Sequence, residues 1–419
     1  MYKFMSDIRV PFGSGMQSCS IPAEFPVEWI LPPEIAGSDD PLHVIEEALN
    51  HPLDFKFPDQ VQQVTISVND KTRPVPHHLI LPPLLNWLNR HGISDDKVSI
   101  LIATGTHVPL SPTEIQSLLP DEILKRVRCI SHDCDESENL VFIGVTSRGT
   151  PVWVNRVFYQ ADLKICTGDI EPHHFAGFSG GVKTAAIGLA GRKTINRNHA
   201  WITDSKAWIG IYENNPLRED IEEIGSMMGV HFVLNTILNE KKEVLYALAG
   251  NPQKVMKSGI PLVLKVCTTQ KKGLFDLVIA SAGGYPKDIN FYQAQKALTH
   301  ATTITRKGGT IILVAECREG SGNQAFEEFM RGVKSPQEVF ERFAQQPFRV
   351  GPHKGYQVAR IVQDYRVYLV SHIPKDIARS WLVSPHESLE NAVQEALSEK
   401  KAPIRIGIMP FATTTLPTP

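Results

Sequence analysis

The side chains that could do chemistry are densest between residues 168 and 199, where the sequence reads GDIEPHHFAGFSGGVKTAAIGLAGRKTINRNH. The adjacent His173 and His174 precede a glycine-rich turn, and Lys183 and His199 follow it. Imidazole rings exchange protons or bind metal ions near neutral pH. A histidine in a loop is also often a surface or packing residue, so each one alone says little. Together they make this stretch the first candidate for an active site.

The glycine-rich turn before Lys183 is close to a phosphate-binding loop but departs from it. Gly177, Gly180 and Gly181 allow positive φ angles or a close backbone approach. The GxxxxGK[ST] pattern needs glycine directly before the lysine, and Val182 stands there instead. The sequence therefore disfavours a true P-loop. It keeps a glycine-rich turn that enters a helix, an arrangement that can still cradle a phosphate group.

Two more clusters of polar residues follow predicted buried strands. The strand 61–68 ends before Asp70 and Arg73, and the strand 98–103 runs into His107. A guanidinium can clamp a carboxylate or phosphate bidentately, although a solvated turn with a local Asp70–Arg73 pair is an equally good interpretation. A third strand precedes the histidine-rich stretch in the same way. Because open α/β sheets bind ligands at the carboxyl ends of their strands, this shared position supports a functional role.

A fourth polar cluster lies in the last third of the chain. The strand 275–281 ends in a glycine-rich segment, and a helix is predicted to begin at residue 289 or 290. Gln293 and Lys296 are three residues apart, so they share one face of that helix. A solvated helix face and a functional pair explain this spacing equally well.

The alternation of apolar strands and amphipathic helices predicts an α/β protein with two domains, each built on a Rossmann-like parallel sheet. With 419 residues the chain is too long for one ordinary core. We expect an N-terminal α/β domain at 1–270 and a C-terminal α/β domain at 271–400, with a tail at 401–419 that packs back on the N-terminal domain. Further strands are predicted at 126–130, 140–145, 152–157, 161–166, 230–238, 243–248, 310–314, 366–370 and 405–409, and helices at 76–90, 216–228, 252–270 (broken or kinked at 259–261), 323–345, 353–364 and 385–398.

Composition and charge exclude several classes of protein. Hydrophobic residues make up 42% and charged residues 21% of the chain, as in a globular protein. A formal net charge of -2 argues against nucleic acid or an anionic membrane as a partner. No apolar run is long enough for a signal peptide or a membrane span. The six cysteines are scattered without a CxxC pair, so we expect reduced thiols and a cytoplasmic location.

Taken jointly, these motifs resemble those of the lactate racemase family, the nickel-pincer-nucleotide enzymes. The resemblance covers most of the chain, in the family's order. It is carried by DKTRP (70–74), GTH (105–107), PHHFAGFSGGVK (172–183), NH (198–199), PKDIN (286–290) and YQAQK (292–296).

The resemblance implies an active site in the cleft between the two domains. It also implies a nickel-pincer nucleotide cofactor, a pyridinium thioamide/thioacid mononucleotide that holds nickel through carbon and sulfur. Cofactor-synthesis enzymes would be partners, and the substrate would be a small 2-hydroxy acid. By the resemblance, Lys183 holds the cofactor covalently and His199 is the protein's nickel ligand. Asp70, Gly180 and Gly181 complete the cofactor site, His107 and His173 are the acid and base, and Arg73, Tyr292, Gln293 and Lys296 bind substrate.

The implied reaction is racemisation or C2-epimerisation of lactate or a related 2-hydroxy acid by reversible hydride transfer. The α-proton of a hydroxy carboxylate is very weakly acidic, so hydride removal from an alkoxide is easier than carbanion formation. A nicotinamide-like ring can accept that hydride, and two histidines can move the hydroxyl proton near neutral pH. Two alternatives stay open: a metal-dependent hydrolase that uses the histidine cluster, and a non-catalytic carrier of the cofactor.

Overall fold

The structure, a computed structural model, describes residues 5–270, 273–398 and 404–418. The chain divides into two compact units. The first, called the central unit here, is Ile35–Val266. The second, called the split unit, combines the residues up to Glu34 with the residues from Cys267 onward. Among the described residues, no helix is both long and apolar enough to cross a bilayer.

Strands and helices alternate along most of the chain. The strands are β1 (Met5–Phe12), β2 (Gly15–Pro22), β3 (Val27–Trp29), β4 (Val64–Asn69), β5 (Val98–Ala103), β6 (Arg128–Ser131), β7 (Leu140–Val145), β8 (Pro151–Asn155), β9 (Leu163–Asp169), β10 (Pro172–His173), β11 (Gly177–Phe178), β12 (Phe232–Leu238), β13 (Val244–Gly250), β14 (Thr268–Gln270), β15 (Phe275–Ser281), β16 (Thr305–Val314), β17 (Arg366–Val370), β18 (Ser384–His386), β19 (Ile406–Met409) and β20 (Leu416–Thr418).

The helices are α1 (Pro41–Asn50), α2 (His77–Arg90), α3 (Pro112–Leu118), α4 (Asp121–Arg126), α5 (Arg156–Gln160), α6 (Lys183–Ala186), α7 (Arg192–His199), α8 (Pro216–Met228), α9 (Pro252–Cys267), α10 (Phe291–Ala294), α11 (Lys296–Thr302), α12 (Gln324–Met330), α13 (Pro336–Ala344), α14 (Pro352–Asp364), α15 (Lys375–Ser380) and α16 (Leu389–Ser398).

The central unit is built on a six-stranded sheet in the order β13-β12-β9-β4-β5-β6. Neighbouring strands from β12 to β6 run parallel, and β13 pairs antiparallel with β12 at one edge. Ile66, Ile100 and Ile165 on three adjacent strands are completely buried. Such continuously apolar strands are typical of a parallel sheet covered by helices on both faces. The predicted α/β class with parallel sheets is confirmed.

The alignment of three strands in this sheet brings the predicted polar loops to one edge. In the β4–β5 pair, Asn69 lies opposite Ala103, and in the β4–β9 pair Ser67 lies opposite Cys166. The loops that follow β4, β5 and β9 therefore start at the same edge. The chain leaves β4 toward β5 on one side, whereas β9 pairs on the other side. This is the reversal of strand order at which open sheets bind ligands.

The split unit contains a second six-stranded parallel sheet, in the order β18-β17-β16-β15-β19-β3. One face packs against helices around Trp381, Phe291 and Phe326. The other face packs against α16 and the β1–β2 hairpin, where Ile8 belongs to the same apolar cluster as Ile279.

Both ends of the chain differ from the expected domain assignment. β3, from the N-terminal segment, pairs with β19, and β19 pairs with β15. Main-chain hydrogen bonds therefore place the first residues and the tail strand in the sheet of the C-terminal half. Neither the β1–β2 hairpin nor α1 was expected, because prolines and polar residues interrupt the hydrophobic pattern of residues 1–60.

Two helix expectations also change. The helix expected at 323–345 consists of α12 and α13, because Gly332 adopts a φ of 71° between them and Ser335 caps the second helix by accepting from the Glu338 amide. The helix expected to break near Pro261 is one continuous helix, α9.

Replacing Trp381 with alanine should destabilise the split unit by about 3–5 kcal/mol, because a large buried ring leaves a cavity. Trp381 is 1% exposed, and its ring centroid lies 4.8 Å from that of Phe291 and 5.2 Å from that of Phe326. Urea unfolding followed by near-UV circular dichroism measures the loss. Ile377→Ala in the neighbouring α15, where Ile377 is 40% exposed, is the control. Equal losses in the two variants would contradict this account.

Candidate active site

His107, in the loop after β5, is held by Asp70, in the loop after β4. The distance from His107 Nδ1 to Asp70 Oδ2 is 2.6 Å. The Asp70 carboxylate is buried, and its other oxygen accepts from the Thr72 hydroxyl at 2.6 Å and the Thr72 amide at 3.1 Å. The carboxylate thus fixes the imidazole by its Nδ1 atom. The His107 side chain stays 37% exposed, so the rest of the ring is open to a ligand.

The surroundings of Asp70 keep it charged. Burial alone would raise its pKa, but the charge and hydrogen bond of His107, the Thr72 hydrogen bond and the charge of Arg73 together lower the pKa to about 2. A charged carboxylate accepts the proton on Nδ1, so neutral His107 carries its lone pair on Nε2. That is the tautomer required of a general base.

Lys183 begins α6, immediately after the glycine-rich turn, and is half-buried. Burial lowers the pKa of its ammonium group to about 7, helped by the positive charges of Arg73 and Arg218 and opposed by Asp169 and Glu171. The influence of Arg73 shows that the loop after β4 lies near this lysine. A large fraction of Lys183 is therefore a neutral, nucleophilic amine at neutral pH.

The glycine-rich turn is closely packed. Gly180 and Gly181 have φ angles of 76° and 61°, and a Cβ atom on Gly177 would lie 2.1 Å from the Ile211 carbonyl oxygen. The buried Arg218 guanidinium donates to the Gly180 carbonyl, and the Gly181 amide donates to Asn235 Oδ1 at 2.8 Å. Because the Gly181 amide has this partner, the two glycines contribute a tight backbone path that presents Lys183.

His173 lies on a short hairpin between β9 and that turn, where β10 pairs with β11. Its Nδ1 atom accepts from the Ala176 amide at 3.2 Å, so neutral His173 carries its proton on Nε2. His174 is also buried, and its ring lies 4.2 Å from the ring of Phe175. Phe175 contacts His199 as well, with ring centroids 5.1 Å apart. The structure thus brings His173, His174 and His199 around one phenylalanine.

In the split unit, the residues predicted from the YQAQK motif lie at the junction of α10 and α11. Asn290 caps α10 by accepting from the Gln293 amide at 3.0 Å, and Lys296 Nζ donates to Gln293 Oε1. Tyr292 and Lys296 are half-buried. Asp288, in the preceding motif, is structural: its Oδ2 accepts from the amides of Gly13 at 2.6 Å and Glu316 at 3.0 Å.

Sequence reasoning missed a buried basic pair at the start of α14. His353 and Lys354 are 0% and 1% exposed, and Lys354 Nζ lies 4.8 Å from the centroid of the Tyr292 ring. The distance suits a cation–π interaction. In the sequence, Lys354 follows Pro352 in an ordinary helix pattern, so only the missing periodic partner on a polar face could have drawn attention to it.

The histidines do not form a preassembled metal site of the hydrolase type. Within 5–270, 273–398 and 404–418, the group of three or more potential ligands close enough to share a metal ion is Asp133, Cys134 and Asp135. Both carboxylate oxygens of Asp135 bind Arg192, and burial raises the pKa of the Cys134 thiol to about 11. This group therefore lacks the features of a metal centre, and the four candidate histidines are not part of it.

Comparison with known proteins decides between the remaining interpretations. The model of the lactate racemase N-terminal domain matches residues 12–210, and that of the lactate racemase C-terminal domain matches residues 270–414. The chain belongs to the lactate racemase family. A protein of this family is an isomerase, so the enzyme class expected from the motifs is confirmed.

Individual members of the lactate racemase family match along nearly their whole length. The chain is 30% identical to the lactate racemase of Thermoanaerobacterium thermosaccharolyticum over 98% of this chain and 99% of that protein. It is 30% identical to the lactate racemase of Lactiplantibacillus plantarum over 87% and 88% of the two chains. The solved structure of the T. thermosaccharolyticum lactate racemase apoprotein superposes with a TM-score of 0.91 at 28% identity, covering 99% of this chain and 100% of that one. A Thermotoga maritima protein shares the fold, with a TM-score of 0.68 at 19% identity and coverage of 90% and 98%.

Lys183 in the cofactor-free protein should react with acetic anhydride with a half-maximal rate near pH 7, because its neutral amine is already populated there. An ordinary lysine reaches that point at about pH 10.4. Peptide mass spectrometry across a pH series measures both. Arg73→Met removes a positive charge that disfavours the ammonium form, so the midpoint should rise, whereas Arg192→Met should leave it unchanged. A wild-type midpoint near pH 10 would contradict the assignment.

Proposed function

We propose that this protein racemises or epimerises a 2-hydroxy acid, lactate or a related acid, by reversible hydride transfer to a nickel-pincer nucleotide cofactor. The observation that carries the proposal is the Asp70–His107 pair, which shares one sheet edge with Arg73 and Lys183. Membership of the lactate racemase family supports the reaction type.

The donor set around the glycine-rich turn fits the proposed cofactor. Lys183 offers the neutral amine that a thioamide bond requires, and His199 offers an imidazole, a suitable nickel ligand. Gly180 and Gly181 keep the backbone close beside Lys183, and Asp70 contributes through His107. The bound cofactor would supply a nicotinamide-like hydride acceptor. The cofactor-synthesis enzymes are then partners of this protein.

The two proposed acid–base residues hold opposite tautomers, and this supports their pairing. His107 exposes an unprotonated Nε2, which can take the substrate's hydroxyl proton, because Asp70 fixes the proton on Nδ1. His173 carries its proton on Nε2, because its Nδ1 accepts from Ala176. One ring can accept a proton while the other can donate one, as the two enantiomers require.

Binding of the substrate is proposed to rest on cations and one ring. Arg73 can grip a carboxylate through two parallel hydrogen bonds. Lys296 and Gln293 already share a hydrogen bond, so either can turn to the substrate's carboxylate or hydroxyl. Tyr292 lines the site and rests on the Lys354 ammonium.

Substrate identity is tested with the cofactor-loaded protein and a panel of enantiopure 2-hydroxy acids, from lactate to larger aliphatic, aromatic and sugar acids. Chiral chromatography follows each one. Conversion of at least one acid to both enantiomers or epimers supports the proposal. Tight cofactor binding with no conversion of any acid would favour the non-catalytic carrier instead.

Asp70→Asn should lower kcat by about 10²- to 10⁴-fold in both directions, because an amide no longer enforces the proton on His107 Nδ1. Steady-state kinetics starting from each enantiomer measure the effect. Asp162→Asn is the matched control, because Asp162 is an exposed carboxylate that accepts only from the backbone amides of Gln62 and Gln63. A kcat within twofold of the wild type would remove Asp70 from the site.

Turnover in heavy water should give product that keeps its original hydrogen at carbon 2. In the proposed reaction the histidines move only the hydroxyl proton, so the carbon-bound hydrogen never reaches an exchangeable imidazole. Converting one enantiomer nearly to equilibrium and reading deuterium at carbon 2 by NMR makes the measurement.

The control for that experiment is the intact mass of the protein, which must exceed the polypeptide mass if the cofactor is attached. Near-complete deuterium incorporation by such a preparation would establish two-base carbanion chemistry and refute the hydride proposal.

A further inference from the structure

A buried chain of hydrogen bonds leads from the turn between β7 and β8 to His199. It is centred on Asp220 of α8, whose carboxylate is completely buried. The Thr146 hydroxyl donates to Oδ1 at 2.6 Å, and the Thr150 hydroxyl donates to Oδ2 at 2.9 Å. Asn198 Nδ2 donates to Oδ2 at 2.8 Å. Hydroxyl and amide donors therefore solvate this carboxylate in place of water.

Asp220 determines which way the Asn198 amide points. Asn198 Nδ2 also donates to the Leu217 carbonyl at 3.0 Å, so the amino group faces two acceptors. A flipped amide would turn Oδ1 toward a carboxylate and a carbonyl, neither of which can donate. In a buried site that arrangement leaves polar atoms unsatisfied, which is strongly unfavourable. Oδ1 must therefore face away from Asp220.

The orientation of Asn198 in turn determines the proton position on His199. Asn198 Oδ1 lies 3.1 Å from His199 Nδ1. An amide oxygen can only accept, so Nδ1 must carry the proton. The neutral imidazole then has its lone pair on Nε2. Buried groups at four positions, far apart in the sequence, enforce one tautomer of this ring.

We propose that Asp220, acting through Asn198, is a positioning residue that commits His199 to bind a metal ion through Nε2. The proposal rests on the proposed role of His199 as the nickel ligand. A histidine that donates its other N–H to a fixed acceptor is held in one orientation and is a more basic ligand. The buried negative charge of Asp220, relayed through the amide, strengthens both effects.

The alternative is that the network only holds α7, α8 and the β7–β8 hairpin together. Both interpretations predict some loss of stability when Asp220 is changed. They differ in the tautomer of His199, which a purely structural network would not need to enforce. The tautomer is therefore the decisive measurement, and it can be made on the cofactor-free protein.

The first experiment records long-range 1H–15N spectra of cofactor-free protein labelled with 15N-histidine, with His199→Ala identifying the His199 signals. The Nδ1–H tautomer should exceed the Nε2–H tautomer by about tenfold or more. A predominant Nε2–H tautomer in the wild type would overturn the proposal without any need for a variant to fold.

The second experiment compares Asp220→Asn with Asp135→Asn. An amide at 220 can donate as well as accept, so Asn198 loses its enforced orientation and the His199 tautomers should become mixed. Asp135 binds Arg192, at the other end of the helix that carries His199, so Asp135→Asn loosens the same helix without touching the network. An unchanged tautomer ratio in folded Asp220→Asn would refute the relay.

The third experiment challenges cofactor-loaded protein with a chelator and follows nickel retention. Asp220→Asn should lose nickel on the order of 10- to 100-fold more readily than the wild type, and Asp135→Asn should not. Equal retention in Asp220→Asn and the wild type would overturn the role in metal binding. Full nickel retention in His199→Ala would instead refute the ligand assignment in the proposed function, whatever the tautomer.

Discussion

The parallel hydrogen-bond ladders that join β9, β4 and β5 are the constraint on which the site depends. They bring three loops, from residues about 100 apart in the sequence, to one edge of the sheet. Each loop then supplies one part: Asp70 and Arg73 after β4, His107 after β5, and the hairpin with His173 after β9. The sheet acts as a ruler, because a strand slipped by one residue would move its loop and turn its side chains to the other face.

Arg73 links the electrostatics of this edge. Its charge lowers the pKa of Asp70 and that of Lys183, although the first is an acid and the second a base. The result at neutral pH is a charged carboxylate beside a largely neutral amine. One guanidinium thus favours both the form of Asp70 that orients His107 and the form of Lys183 that can react.

Sequence patterns predicted the parts of the site that follow apolar strands directly, as Asp70, His107 and Lys183 do. The α/β class and most strands of both sheets were predicted for the same reason. The β1–β2 hairpin was missed, because its inward residues pack against a sheet formed more than 250 residues later. Asp220 and Lys354 were also missed. Each lies in an ordinary amphipathic helix, and its role depends on partners that no local pattern reveals.

The pairing of β3 with β19 has a consequence for biosynthesis. Val27–Trp29 emerges from the ribosome among the first residues, and its partner Ile406–Met409 is among the last. The whole of Ile35–Val266 is made between them and forms a unit of its own. Domains generally fold as units while the chain grows. The segment translated first must therefore wait, as an unpaired strand, until translation is almost complete.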